Sequence, residues 1–411
     1  MFPNKPKEKK LVYLDHAATT YVDKEVKAVM NPYYTERFAN PSGLYGIGRE
    51  VSKDVANARK SIAQILGAQA DTIIFTSGGT ESDNLAIQGM AYPHKRNGKH
   101  IITTKIEHPA VLETCKFLEK DGFEITYLNV NKEGQIDLKE FKNALRTDTI
   151  LVSIMYANNE IGTILPIADV GREILKWRKT KNTVYPYFHS DACQAAGVLD
   201  LDVEKLHVDL LTINGSKIYG PKGIGVLYKR RKVDLHSLIH GGGQEMGLRA
   251  GTENVPGIIG LAKALELSQE NKGQENKRLI ELRQYFWEEL QKNIDKIVLN
   301  GTKLDDEKTR LPNNLNVTFL DIEGEAMLLY LDEYGIVTST GSACSSGSLD
   351  ASHVLIACGL PDEYAHGSLR FTLGKRNTKE DVDYVIKYLP GIVEKLREIS
   401  PVNLKYDKSK S

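Results

Sequence analysis

"LLTINGSKIYGPKGIGVLYKR", residues 210–230, is the stretch from which the fold of this chain can be read. A β-leaning apolar run over residues 210–213 ends in Asn214, Gly215, Ser216 and Lys217. Glycines follow at 220, 223 and 225, and then a second apolar run begins. The pattern predicts strand, tight turn, strand, with one long cationic side chain at the mouth of the first strand. Two readings of Lys217 stand at this point. It is a surface lysine in a hairpin turn, or it is a lysine held in place to form a covalent bond.

Working outward, residues 60–230 alternate between short β-branched runs and amphipathic stretches. Strands are expected at residues 72–76, 100–104, 124–130, 150–156, 184–190, 209–213 and 225–228. Helical spacing lies between most of them, at 81–90, 109–120, 138–144 and 167–179. This alternation predicts an α/β domain with a mostly parallel, seven-stranded sheet covered by helices. Ligands of such sheets bind at the carboxyl ends of strands. Residues 256–294 read as one long connector helix. Beyond it "NNLNVTFL", "GIVTS" and "HGSLRFTLG" read as strands, with helices at 323–334 and 379–399. The expected division is an N-terminal segment 1–14 packing on the small domain, a large domain 15–260, and a connector helix with a smaller α+β domain over 261–411. "MFPNKPKEKK" reads as a solvated, frayed lead-in and "KYDKSKS" as a mobile tail.

Composition narrows the class. The 411 residues are 41% apolar and 26% charged, with a formal net charge of zero. A soluble globular protein of two or more domains is expected. The charge balance argues against nucleic-acid binding through a broad basic surface. No apolar run approaches the roughly 20 residues that span a bilayer, and no signal core follows the charged N-terminus. None of the four cysteines sits in a C-x-x-C pair, so no metal site is indicated. Four cysteines in a long chain without a disulfide framework fit the cytoplasm.

The residues after each predicted strand carry the chemistry. "SGGTESDN", residues 77–84, places Gly79 and Thr80 where a helix opens. The free N–H groups and the positive end of the helix dipole suit a phosphate, and an ordinary capped helix start fits equally well. "KIEHPAV" places His108 ahead of Pro109, as a helix cap or as an imidazole that stacks on a flat ligand. "ANNEIG" offers Asn159, in a turn or bonded to a ligand. "HSDACQAAG" offers Asp191 with Gln194 three residues on. Asp191 is a helix cap or a poorly solvated carboxylate that needs a cationic partner. Taken together, these strand ends supply a phosphate cradle, a stacking imidazole, a carboxylate and a lysine. Pyridoxal phosphate needs that set: a phosphate, a flat ring, a protonated ring nitrogen and an aldehyde that bonds a lysine.

Two further features point to the reaction. "TSTGSACSSGSLDASH", residues 338–353, is mostly Gly, Ala and Ser, the composition of a flexible loop, with Cys344 in its middle. That setting suits a reactive thiol, and a harmless exposed cysteine is the plain alternative. Cys115 and Cys358 read as core residues and Cys193 as a small packing residue. "AHGSLRFTLG" carries Arg370 on an otherwise apolar strand. Its guanidinium suits a carboxylate clamp or an intramolecular salt bridge.

These segments, in this order, resemble the NifS/IscS-type cysteine desulfurases, fold-type I pyridoxal-phosphate enzymes. The resemblance runs from "YLDHAATT" at residues 13–20 to "SLRFTLG". Its most specific stretches are "FTSGGTESDNLAI", "NNEIG", "SKIYGPKGIG", "HGGGQEMGLRAGTENV" and "GSACSSGS". It implies a Schiff base on Lys217, Asp191 against the ring nitrogen and Gln194 on the ring hydroxyl. His108 would stack on the ring and assist acid–base steps. Gly79, Thr80, Ser216 and Asn214 would lie on the phosphate side, with Thr252 reaching across from the second subunit of a homodimer. Asn159 and Arg370 would bind the carboxylate of L-cysteine. Cys344 would take the sulfur as a persulfide, leaving L-alanine, and pass it to an acceptor protein for iron–sulfur cluster assembly or tRNA thiolation.

Departures from the family pattern fall on the phosphate side. Ser216 stands where histidine is usual and Asn214 where many members have serine. Tyr45 replaces a common histidine, and the tail after "LREISP" is short. Hydroxyl and amide groups still donate hydrogen bonds, so rearranged phosphate contacts are expected. The competing readings are a lyase acting on selenocysteine or cysteine sulfinate, an aminotransferase, and a sulfur carrier that turns over poorly.

Overall fold

The computed structural model describes residues 2–6, 8–340, 351–401 and 404. Twelve strands occur among them: β1 (Val12–Tyr13), β2 (Ile73–Thr76), β3 (His100–Thr104), β4 (Glu124–Leu128), β5 (Thr149–Ser153), β6 (Tyr187–Asp191), β7 (Leu210–Asn214), β8 (Gly225–Lys229), β9 (Ile297–Leu299), β10 (Asn314–Phe319), β11 (Ile336–Val337) and β12 (Ser368–Thr372). The seven from β2 to β8 form one sheet in the order β2-β8-β7-β6-β5-β3-β4. All pairings are parallel except those of β8, which is antiparallel to both β2 and β7. The α/β class and the seven-stranded, mostly parallel sheet expected from the alternation are therefore present.

Side-chain alternation along the strands builds two cores, one on each face. Ile73, Phe75, Ile102, Leu211, Ile213, Val226 and Tyr228 join one. Their neighbours Ile74, Ile101, Leu210 and Leu227 join the other, packed with residues of helices Gly79–His94 and Pro109–Lys120. With both faces covered, every residue of β2, β3 and β5 is buried.

A third core gathers Val12 and Leu14 with side chains from Leu279 onward, around the sheet β12-β10-β9 and helix Lys379–Ile399. The first core takes apolar side chains as far as Leu265, and then again Leu311, Val354, Leu355, Cys358 and Ala365. The chain thus passes from the first core to the third, touches the first at Leu311 and returns to it after residue 351.

Three expectations need correction. The single connector helix is two helices, Val255–Glu270 and Lys272–Asn293, separated at Asn271. The polar run around Gly273 supplies no apolar face to carry one helix through, and the first helix belongs to the first core. The N-terminal lead-in is not frayed. Phe2 stacks on Tyr330 at 4.1 Å, the Tyr334 hydroxyl donates to the Pro3 carbonyl at 2.6 Å, and Lys10 pairs with Asp381 at 2.6 Å. β6 begins at Tyr187, later than expected, since Pro186 has no N–H to give the ladder. The expected loop around Cys344 and the expected tail "KYDKSKS" lie outside the described residues.

Candidate active site

The carboxyl ends of β2, β3, β5, β6 and β7 all open on one edge of the sheet, and the predicted residues follow them. β7 ends at Asn214 and runs into a single 3-10 turn, Gly215–Lys217. The Asn214 side chain accepts from the Ser216 backbone N–H and from its hydroxyl, both at 3.2 Å. That turn fixes the base of Lys217. Its Nζ donates to the Ala17 carbonyl at 2.9 Å and the Ala18 carbonyl at 2.5 Å.

Asp191 closes the neighbouring strand and is buried. Its Oδ1 accepts from the Cys193 N–H at 2.8 Å, so the chain turns there without starting a helix. Gln194 also reaches the Ala17 carbonyl, at 3.0 Å. The strand-end lysine and glutamine are therefore drawn to the same segment of "YLDHAATT".

His108 caps helix Pro109–Lys120, its Nδ1 accepting from the Ala110 N–H at 3.1 Å. Burial lowers the imidazole's pKa, the Asp191 carboxylate opposes this, and the Lys217 ammonium adds to the lowering. The three groups therefore feel one another's charge. That electrostatic contact brings together three of the residues singled out from sequence.

Helix Gly79–His94 begins at the end of β2, with Gly78 as its N-cap. A Cβ on Gly79 would lie 2.8 Å from Cys193 Sγ and 3.6 Å from the Asn214 side chain. The helix start is thus pressed between the turns after β6 and β7, as close as glycine allows. Thr80 is exposed beside it. First-turn N–H groups lack intrahelical partners, the Asn214 side chain lies against the helix start, and Ser216 is bonded to Asn214 in turn.

On the other side, Arg370 projects from β12 and is 3% exposed. Its Nη2 donates to Asp15 Oδ1 at 2.7 Å and its Nη1 to the Asn159 carbonyl at 3.1 Å. The intramolecular salt bridge weighed from sequence is present. Nε of Arg370 is buried without a hydrogen-bond partner. Asn158 is buried, its side chain bonded to the Ile106 carbonyl and to the N–H groups of Glu160 and Ile161. Asn159 is only partly buried. Thr252 is exposed, and Cys344 lies outside the described residues.

Several groups escaped the sequence reading. Glu107 is fully buried, accepts from Thr104 and from the Met155 N–H, and burial pushes its carboxyl up to about 8. Asp83 is buried with its Oδ1 3.6 Å from His189 Nε2. Burial and the nearby Asp191 carboxylate hold Asp83 well above the usual carboxylate range. His189 lies between Ser153 at 2.9 Å and Thr212 at 3.0 Å, and burial lowers it to about 4. Each lies within two residues of a residue or motif already quoted, but only the assembled sheet buries it.

This donor set fits pyridoxal phosphate. A helix start with three polar side chains suits a dianionic phosphate. Asp191 provides a carboxylate, and Lys217 an amine on a fixed turn. Among the described residues no cluster suits a metal ion.

Comparison with known proteins agrees. The aminotransferase class-V family model matches residues 12–385. A cysteine desulfurase IscS of Clostridium botulinum is 52% identical over 98% of this chain and 99% of its own length. One from Dictyoglomus turgidum is 54% identical over 96% and 97%. A solved NifS-like protein superposes with a TM-score of 0.86 at 39% identity, covering 94% of this chain and 100% of its own. A protein solved in complex with cysteine, SspA, superposes at 0.76 with 37% identity, over 89% and 99%. With a family model over most of its length and relatives more than half identical, the chain belongs to the class-V aminotransferases, among the pyridoxal-phosphate-dependent cysteine desulfurases of NifS/IscS type.

Proposed function

We propose that the protein takes sulfur from L-cysteine, releases L-alanine, and holds the sulfur as a persulfide on Cys344 before passing it to an acceptor protein. The observation that carries this reading is the meeting of Lys217, Asp191 and His108 at neighbouring strand ends, where their charges interact. When bound, pyridoxal phosphate supplies an electron sink for the substrate's carbon skeleton. Everything else falls to side chains of this chain.

Lys217 anchors the cofactor aldehyde and moves a proton to and from the substrate carbon. Asp191 keeps the ring nitrogen protonated, and Gln194 bonds the ring hydroxyl. His108, with its pKa lowered by burial, is neutral near pH 7, stacks on the ring and exchanges a proton. Gly79, Thr80, Asn214 and Ser216 hold the phosphate. Thr252 completes that cradle from the second copy in a homodimer, which its exposure permits. Arg370 and Asn159 orient the substrate carboxylate.

The thiolate of Cys344 attacks the substrate's sulfur. A sulfur–sulfur bond forms as the carbon–sulfur bond breaks, and the electron pair of the broken bond goes to the carbon skeleton. A proton then completes L-alanine. Acceptors in iron–sulfur cluster assembly or tRNA thiolation are the proposed destinations.

We also place the division between the two bodies near Asn271, with residues 353–365 belonging to the first. A cytoplasmic setting is supported by three free, buried thiols, Cys115, Cys193 and Cys358. No helix among the described residues is long and apolar enough to cross a membrane.

The test is sulfide release from L-cysteine with a reductant present. Wild type should release sulfide and Cys344→Ala should not. Equal release by both would move the assignment to a lyase that needs no thiol.

A further inference from the structure

Lys217 and Arg370 stand on separate sheets, and one short segment holds both. Ala17 and Ala18 receive the Lys217 amine, and Asp15 receives the Arg370 guanidinium. The contact to Arg370 is built into the backbone. Asp15 forms a bridge with Thr372, two residues along β12 from Arg370. The Ala17 N–H donates to the Thr372 hydroxyl at 2.9 Å, and the Tyr13 hydroxyl donates to the Asp15 carbonyl at 3.0 Å. Asp15 has no backbone freedom to swing away.

The hydrogen-bond inventory of Arg370 then has a consequence. A guanidinium grips a carboxylate through two neighbouring N–H groups. Nη1 gives one hydrogen to the Asn159 carbonyl and Nη2 gives one to Asp15, so each keeps a second. Nε is buried and has no partner. An amino acid's carboxylate docking on the two Nη groups lies beside the Asp15 carboxylate, two anions on one cation. The Arg370 and Asp15 side chains are 4% and 14% exposed. Water and salt therefore screen their repulsion poorly. Tyr13 and His108 also sense the Arg370 charge.

We propose that Asp15 is a specificity-determining residue, a resident carboxylate on Arg370 that competes with the carboxylate of an incoming amino acid. It fixes the guanidinium while setting a threshold, so that only ligands with further contacts in the site are held well. This rests on the reading of Arg370 as the substrate-carboxylate residue.

Asp15→Asn isolates the charge, since the amide oxygen still accepts from Nη2. The cofactor absorbance of the holoenzyme is titrated with L-alanine, which carries the carboxylate and the amine but no sulfur. The Kd should fall at least about threefold, as expected from removing a like charge a few ångströms away in a poorly screened site. KM for L-cysteine should fall with it, while the ligand-free spectrum stays unchanged. Asp15→Ser, a second neutral acceptor, should move in the same direction. Unchanged or weaker alanine binding in both variants, each carrying its full complement of cofactor, would overturn the proposal. Sulfide release is scored separately. Wild type that binds alanine but releases no sulfide removes the desulfurase reading, and the alanine titrations still decide the role of Asp15.

Discussion

Two regions bury ionisable side chains deeply, and they do so for different ends. In the smaller body Arg283 and Arg310 are 0% and 1% exposed. Arg283 donates to the carbonyls of Leu304 and Leu311, and Arg310 to those of Asn300, Thr302 and Asn314. All these acceptors lie on the stretch that links β9 to β10, except Asn314, which opens β10. Burial lowers the two guanidinium groups to about 10 and about 9. Neither lies beside a strand-end cluster, and their contacts serve to fix one connection. At the strand ends Asp83, Glu107, His108, His189 and Asp191 come from three separate elements: helix Gly79–His94, the loop after β3, and β6. The shifts of the first four arise from burial first, with the Asp191 charge acting on each. A perturbed pKa alone therefore does not mark a site in this molecule. Convergence of distant elements on one opening does.

The contrast yields ordered predictions. The largest effect is expected from Lys217→Ala, which should remove the visible band of the lysine-bound cofactor and all turnover. Its unfolding free energy in urea should stay within about 1 kcal/mol of wild type, since Gln194 still donates to the Ala17 carbonyl when the amine is gone. Arg310→Met should do the reverse. It leaves the carbonyls of Asn300 and Thr302 without their donor in a buried place. A loss of about 3 kcal/mol is expected by urea unfolding, with the cofactor spectrum retained. Loss of both fold and spectrum in either variant would erase the distinction between the regions.

The last effect is spread out as a pH slope, so that at any one pH unit it is smaller than either loss above. Burial pushes the Glu107 carboxyl up to about 8 in the folded protein, from an ordinary 4.5. Between those values the unfolded chain has released the proton and the folded one has kept it, so stability falls as pH rises. Glu107→Gln, which imitates the protonated acid, should remove up to about 1.4 kcal/mol per pH unit of that slope between pH 5 and 8. Parallel stability–pH curves for wild type and variant would contradict a protonated Glu107.

How much was legible follows from the same contrast. Lys217, Asp191, His108 and the helix start at Gly79 sit just past β-branched runs, at turns whose glycine, proline and asparagine residues are visible in one dimension. The parallel sheet followed from the same punctuation. Glu107, Asp83 and His189 were not legible as buried groups, because an acid in a loop or a helix and a histidine in a strand gain their burial from neighbours far along the chain. Asp15 stood inside a quoted motif without a role. Its partner Arg370 lies at the other end of the sequence, and only the Thr372 bridge brings them together. The break at Asn271 was readable in principle from its polar flanks. The fastening of the N-terminus rests on Phe2, a single aromatic in a charged run whose site on Tyr330 exists only after folding.

The most direct measurement is mass analysis of the peptide carrying Cys344 after one turnover of the holoenzyme with L-cysteine and no reductant. The account predicts that this peptide becomes heavier by one sulfur atom, that a thiol reductant reverses the gain, and that L-alanine appears in equal amount. L-alanine formed in full while the peptide keeps its original mass would contradict it.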